Sequence, residues 1–115
     1  MKYLCLIYEE EAKLRALSKA ELDALMVEHV AVTADIQKSG HYRCGEVLQP
    51  ADRAATVRVR SGIVFTTDGP LAATKEQLGG FYLIDARDLN EAIQVAAKLP
   101  SARLGTIEVR PVLEV

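Results

Sequence analysis

Residues 2–8, KYLCLIY, set Tyr3, Cys5 and Ile7 on one side of an extended chain and Leu4, Leu6 and Tyr8 on the other. A strand with apolar side chains on both faces has to be covered on both. A helix can cover one face; a partner subunit would cover the other. Hydrophobic residues are 50% and charged residues 26% of the 115, enough to fill one core without a disulfide or metal staple. The expectation is a single domain over residues 1–115.

The rest of the chain divides by its punctuation. After a charged loop, Ser18 and Glu21 form a capping box, and Leu17 with Leu22 can staple the helix start. Leu22, Leu25, Met26, His29, Thr33 and Ile36 then recur at helical spacing as one face, and Gly40 suits the C′ position. Residues 42–48 read as a strand. Thr56–Arg60 and Ile63–Thr67 flank Ser61-Gly62 as a hairpin, which Asp68-Gly69-Pro70 ends. Segment 71–79 reads as a loop with one helical turn at Thr74–Leu78. Phe81–Asp85 is a strand, and Asp88 with Glu91 opens a helix with Leu89, Ala92, Ile93 and Ala96 inward and Pro100 as its stop. Thr106–Leu113 is the last strand, with Pro111 pointing to an edge. Without the hairpin the order is β-α-β followed by β-α-β. That predicts an α+β, ferredoxin-like split β-α-β fold with an inserted β-hairpin and both helices on one sheet face. The bare face, where Leu4, Leu6 and Tyr8 would point, predicts a homodimer by sheet-to-sheet packing.

Several functions are disfavoured at this level. A formal net charge of -2, with scattered Lys and Arg, does not offer the basic surface that nucleic acid needs. No apolar run nears the roughly 20 residues of a membrane helix. The N-terminus turns acidic too soon for a signal peptide, so a cytoplasmic location is the simplest expectation. Cys5 and Cys44 fall in separate strands and should stay reduced; Cys44, before Gly45, reads either as a reactive thiol or as a small buried or half-buried residue. Metal-ligand spacings, phosphate-binding glycine motifs and cofactor motifs are not found, so neither metal nor cofactor is expected.

Four stretches in order carry a family likeness: EHVAVTADIQKSGHYRCGEVL, TVRVRSGIVFTTDGPLAATKEQLGGFYLIDA, DLNEAIQVAAKLP and TIEVRPVLE. Together they resemble the YCII-related family, in its DGPF branch, from residue 2 almost to the C-terminus. The most specific part is TDGPLAATKEQLGGFYLIDA, where Leu71 stands in place of the eponymous Phe. The resemblance implies a ferredoxin-like subunit paired into a dimeric α/β barrel. Relatives on that barrel include muconolactone isomerases, dehalogenase-like proteins and antibiotic-biosynthesis monooxygenases. Genes of DGPF proteins often lie beside sigma factors of the extracytoplasmic-function class, which implies a stress or regulatory setting.

His29 interrupts the inner face of the first long helix. It reads either as a general acid or base or as a core histidine bonded to backbone or carboxylate. The resemblance implies that such a histidine pairs with the aspartate of the DGP motif, here Asp68. Asp before Gly is equally an ordinary turn residue. Lys75 and Glu76 match the family motif and are candidate substrate-binding residues or an exposed ion pair. Tyr82 is a candidate pocket wall or plain aromatic packing. Two functions follow. One is an enzyme using a His29–Asp68 acid/base pair on a small organic molecule in an isomerase-, lyase- or hydrolase-like reaction. The other is a non-catalytic small-ligand-binding or regulatory accessory protein tied to stress and sigma-factor pathways.

Overall fold

Strand β1 (Lys2–Glu9) runs through the interior of a four-stranded antiparallel sheet in the computed structural model, which describes residues 1–114. The other strands are β2 (Tyr42–Val47), β5 (Gln77–Asp85) and β6 (Thr106–Pro111), in the order β2-β5-β1-β6. Between β2 and β5 the chain makes a separate antiparallel pair, β3 (Ala55–Arg60) and β4 (Ile63–Asp68). The fold is mixed α+β with open sheets.

Alternation along β1 divides the sheet into two faces. Tyr3, Cys5 and Ile7 are buried and share a core with Ile84 of β5, Ile36 of α2 (Lys19–Lys38), and Ala92, Val95 and Ala96 of α3 (Leu89–Ala97). Leu4, Leu6 and Tyr8 are only half-buried. Cross-strand register sets Phe81 opposite Leu6 and Leu83 opposite Leu4, so this second face is a continuous apolar strip.

The local signals for α2 act as expected. Ser18 Oγ accepts from the Glu21 N–H, and Glu21 Oε1 accepts from the Ser18 N–H, each at 3.1 Å. At the other end Gly40 takes φ +83°, and His41 and Gly40 donate to the Ile36 and Gln37 carbonyls in a Schellman motif. Burial of α2 differs from expectation. Ile36 is its one buried residue, while Leu22 and Met26 of the inner stripe are exposed. The helix is anchored near its C-terminal end, and its first half stands off the sheet.

Other elements also depart from the sequence reading. The charged loop contains α1 (Glu11–Arg15), supported by the Glu10–Lys13 and Glu11–Arg15 ion pairs. Gln77 and Leu78 are not helical; they extend β5 by pairing with Glu9 and Tyr8. Pro100 ends one helix and starts another, α4 (Ser101–Leu104). On α3 it is Val95 that packs inward, whereas Leu89 and Ile93 are exposed.

The hairpin turns through Ser61 at φ +52° and Gly62 at φ +75°, the paired positive angles of a type I′ turn. It then leaves the body of the protein. Val57, Val59, Ile63, Val64 and Phe65 are all exposed, and the Gly69 N–H to Ala54 carbonyl bond closes its base at 2.7 Å. The radius of gyration is 16.0 Å, against about 13 Å for a compact chain of this length. The difference reflects this projecting arm.

Both cysteines are free. β5 lies between their strands, and Cys44 is exposed rather than half-buried.

Candidate functional site

The stand-off of α2 leaves a cavity of about 560 Å³ between that helix and the sheet. Its walls are mainly apolar, including Ile7, Leu25, Met26 and Val30, with His29 on the helix and Gly79, Gly80 and Tyr82 on β5 beneath. The cavity stays open because two neighbouring positions of β5 carry no side chain. Thr33 and Tyr82 also line it, and their hydroxyl oxygens are 2.5 Å apart. Tyr82 packs T-shaped against Tyr42, with ring centroids 5.7 Å apart and planes at 89°.

His29 is half-buried on this wall and makes no hydrogen bond among the described residues, so neither ring nitrogen is committed. The histidine with a carboxylate partner is the other one. His41 Nε2 lies 3.1 Å from Glu91 Oε1 and its Nδ1 lies 2.7 Å from Ser39 Oγ. That chain of contacts fastens the end of α2 to α3, away from the cavity.

A carboxylate that the sequence reading overlooked also reaches the cavity. Glu9 continues the alternation of Tyr3, Cys5 and Ile7 onto the helix-facing side. Ser101, 1% exposed at the start of α4, donates to Glu9 Oε1 at 2.7 Å. Gly79 makes the space: a Cβ there would sit 2.8 Å from Glu9 Oε2. Alternation along β1 could have revealed Glu9. Nothing in the sequence around Pro100 marks Ser101.

The predicted site residues separate into different places. His29 and Tyr82 line the α2 cavity together. Asp68 is exposed at the end of β4, lines neither cavity and makes no hydrogen bond to His29 within the subunit. Its turn beside Gly69, at φ +106°, forms the root of the arm. Lys75 is exposed and ion-paired to Glu10 at 3.0 Å. Glu76 accepts from Thr106 Oγ1 at 2.9 Å and lines a second cavity of about 570 Å³ at the arm root, with Tyr8, Arg53, Pro70 and Leu71. Among the described residues no group of three or more His, Cys, Asp or Glu could hold a metal ion, and no helix is long and apolar enough to cross a membrane.

The YCII-related domain matches the chain over residues 1–115. The chain belongs to the YCII-related family. It is also similar to an uncharacterised protein of Rhizobium meliloti, with 41% identity over 113 residues that cover 96% of this chain and 91% of that one. For this YCII-related chain the likeness extends through the sheet, both long helices and the arm alike.

Proposed function

We propose that the chain is an acid/base enzyme acting on a small organic molecule, with the α2 cavity as its active site and His29 as the proton carrier. The observation that carries this is an uncommitted imidazole on the wall of an apolar cavity of ligand size. An imidazole can accept a proton from a bound molecule near neutral pH and return it to another atom. The Thr33–Tyr82 hydroxyl pair on the cavity wall offers a donor to a substrate oxygen. Such a site suits isomerisation, elimination or hydrolysis. Asp68 enters this reading only if a second subunit carries it to His29.

The proposal includes the assembly. A ferredoxin-like subunit would pair through the face of Leu4, Leu6, Phe81 and Leu83 into a dimeric α/β barrel. The strand order β2-β5-β1-β6 and the apolar strip on that face support it. One observation favours a second reading, a non-catalytic ligand-binding or regulatory accessory protein: among the described residues of the subunit no carboxylate hydrogen-bonds His29.

Incubation with a metabolite mixture in deuterium oxide separates the two. Deuterium entering one compound with wild-type protein, and failing to enter with His29→Asn, is the result expected of the enzyme. A compound retained by the protein, with neither label nor product, would support the binder.

A further inference from the structure

We propose that the α2 cavity selects a small apolar amine in its protonated form, with the ammonium group seated on Glu9. This rests on the reading of that cavity as the ligand site and adds the charge of the ligand.

The charge of the walls is one-sided. No lysine or arginine lines the cavity. The Lys13 and Lys75 ammonium groups nearby are both held by Glu10, at 2.7 and 3.0 Å. Of the two glutamates that touch the cavity, Glu46 stands opposite Phe81, so strand alternation sends its side chain to the other face. Glu9 is the carboxylate turned inward. It forms no ion pair among the described residues, and the Ser101 hydroxyl at Oε1 is its one hydrogen bond. Oε2 lies over Gly79, where a side chain would have covered it.

Glu9 Oε2 thus faces the cavity as an acceptor with no donor among the described residues. Elimination then narrows the ligand. An anion would be repelled. A metal ion would find one carboxylate and no supporting cluster. A neutral molecule would gain only a modest hydrogen bond, whereas an ammonium forms a charge-assisted one roughly twice as strong. The remaining walls, Leu22, Leu25, Met26 and Val30, suit a hydrocarbon body rather than a polar one.

Three probes with the same six-carbon chain test this: hexylamine, hexanol and hexanoate, titrated at neutral pH while backbone amide shifts around Gly79 and Tyr82 are followed. Hexylamine should bind about tenfold more tightly than hexanol, with hexanoate weakest. Glu9→Gln should bring the amine to within about twofold of the alcohol, provided its melting temperature shows it folded. The wild-type ranking needs no variant. Equal binding of amine and alcohol, or a preference for hexanoate, would overturn the proposal. If hexanol binds in the wild type but not in Ala34→Trp, and the amine has no advantage, the cavity reading survives and the amine assignment does not. No response to any probe at millimolar concentration would sink both.

Discussion

Thr33 and Tyr82, 49 residues apart in sequence, bring their hydroxyl oxygens to 2.5 Å and so tie the middle of α2 to the interior strand β5. Beyond this point towards its N-terminus, the helix leaves the sheet. The Glu28–Arg103 pair, bidentate at 3.0 and 2.9 Å, holds that free half from the α4 side. Together the two contacts fix the width of the cavity.

Tyr82→Phe removes one hydroxyl and should cost about 1 kcal/mol, read from urea denaturation. Thr33→Val should cost a similar amount. The double variant should lose little more than either single one, because both delete the same bond. Fully additive losses would mean that the two hydroxyls do not depend on each other.

Two glycines should respond differently to alanine. At Gly79 the new methyl meets the far end of a flexible side chain, Glu9 Oε2. Gly79→Ala should therefore stay folded, change stability by less than about 1 kcal/mol and abolish ligand binding in the α2 cavity. At Gly105 the methyl would overlap the backbone carbonyl of Tyr8. That carbonyl belongs to β1 and cannot swing away, so Gly105→Ala should cost about 2 kcal/mol or more. Equal stability of the two variants in thermal melts would contradict this account.

Burial pushes the Cys5 thiol up to about 11, while Cys44 is exposed. Cys44 stands opposite Leu83 on the proposed dimer face, so in the Leu6→Lys subunit one thiol per chain should react quickly with a thiol reagent at neutral pH, and the second only after unfolding. Reductant should leave the melting temperature unchanged. Two rapid thiols would show that the core around Cys5 opens readily.

Acid sensitivity should trace in part to Glu91. The Arg87 N–H, at 3.1 Å, and then His41 hold its carboxyl below the usual 4.5. A depressed folded value favours the folded state above the unfolded value near 4.5. That contribution is lost as pH falls through this value towards the folded one. Melting temperatures from pH 6 down to pH 3 should fall less steeply in Glu91→Gln than in wild type, where the pH limits are about those of carboxylate titration. Parallel curves would remove Glu91 from the explanation.

The apolar sheet face should make the protein a dimer at micromolar concentration by light scattering. Leu6→Lys sets a cation opposite Glu108 on the neighbouring strand, so the subunit should keep its far-ultraviolet circular dichroism while the dimer is lost. A dimer unaffected by this change would point to a different interface.

Local signals were the ones legible in the sequence. The Ser18–Glu21 box, the Gly40 stop, the Ser61-Gly62 turn and the alternation of β1 all depend on residues within a few positions of one another. The free half of α2 was not legible, because Leu22, Leu25 and Met26 show the same stripe whether they pack on a sheet or line a cavity. Asp68 drew attention through its motif, yet distance in space decides pairing, and the arm keeps it outside the cavity lined by His29. Glu9 follows the β1 alternation, but in sequence it is indistinguishable from Glu10 and Glu11 beside it. Ser101 depends on a contact with Glu9, 92 residues earlier, that no local pattern announces.

The interior position of β1 also governs when this chain can fold during synthesis. Tyr3 pairs with Ile84 on one side and Pro111 on the other. β1 is made before β5 and β6, so both of its edges stay unpaired until those strands have been synthesised, and its core face lacks Ile84, Ala92, Val95 and Ala96 until then. The β3–β4 arm needs only its own 14 residues, Ala55 to Asp68, and can close at once. Long-range pairing of this kind slows folding and prolongs exposure of an apolar strand. Slower elongation anywhere between β1 and Pro111, the arm included, should therefore increase aggregation of the nascent chain.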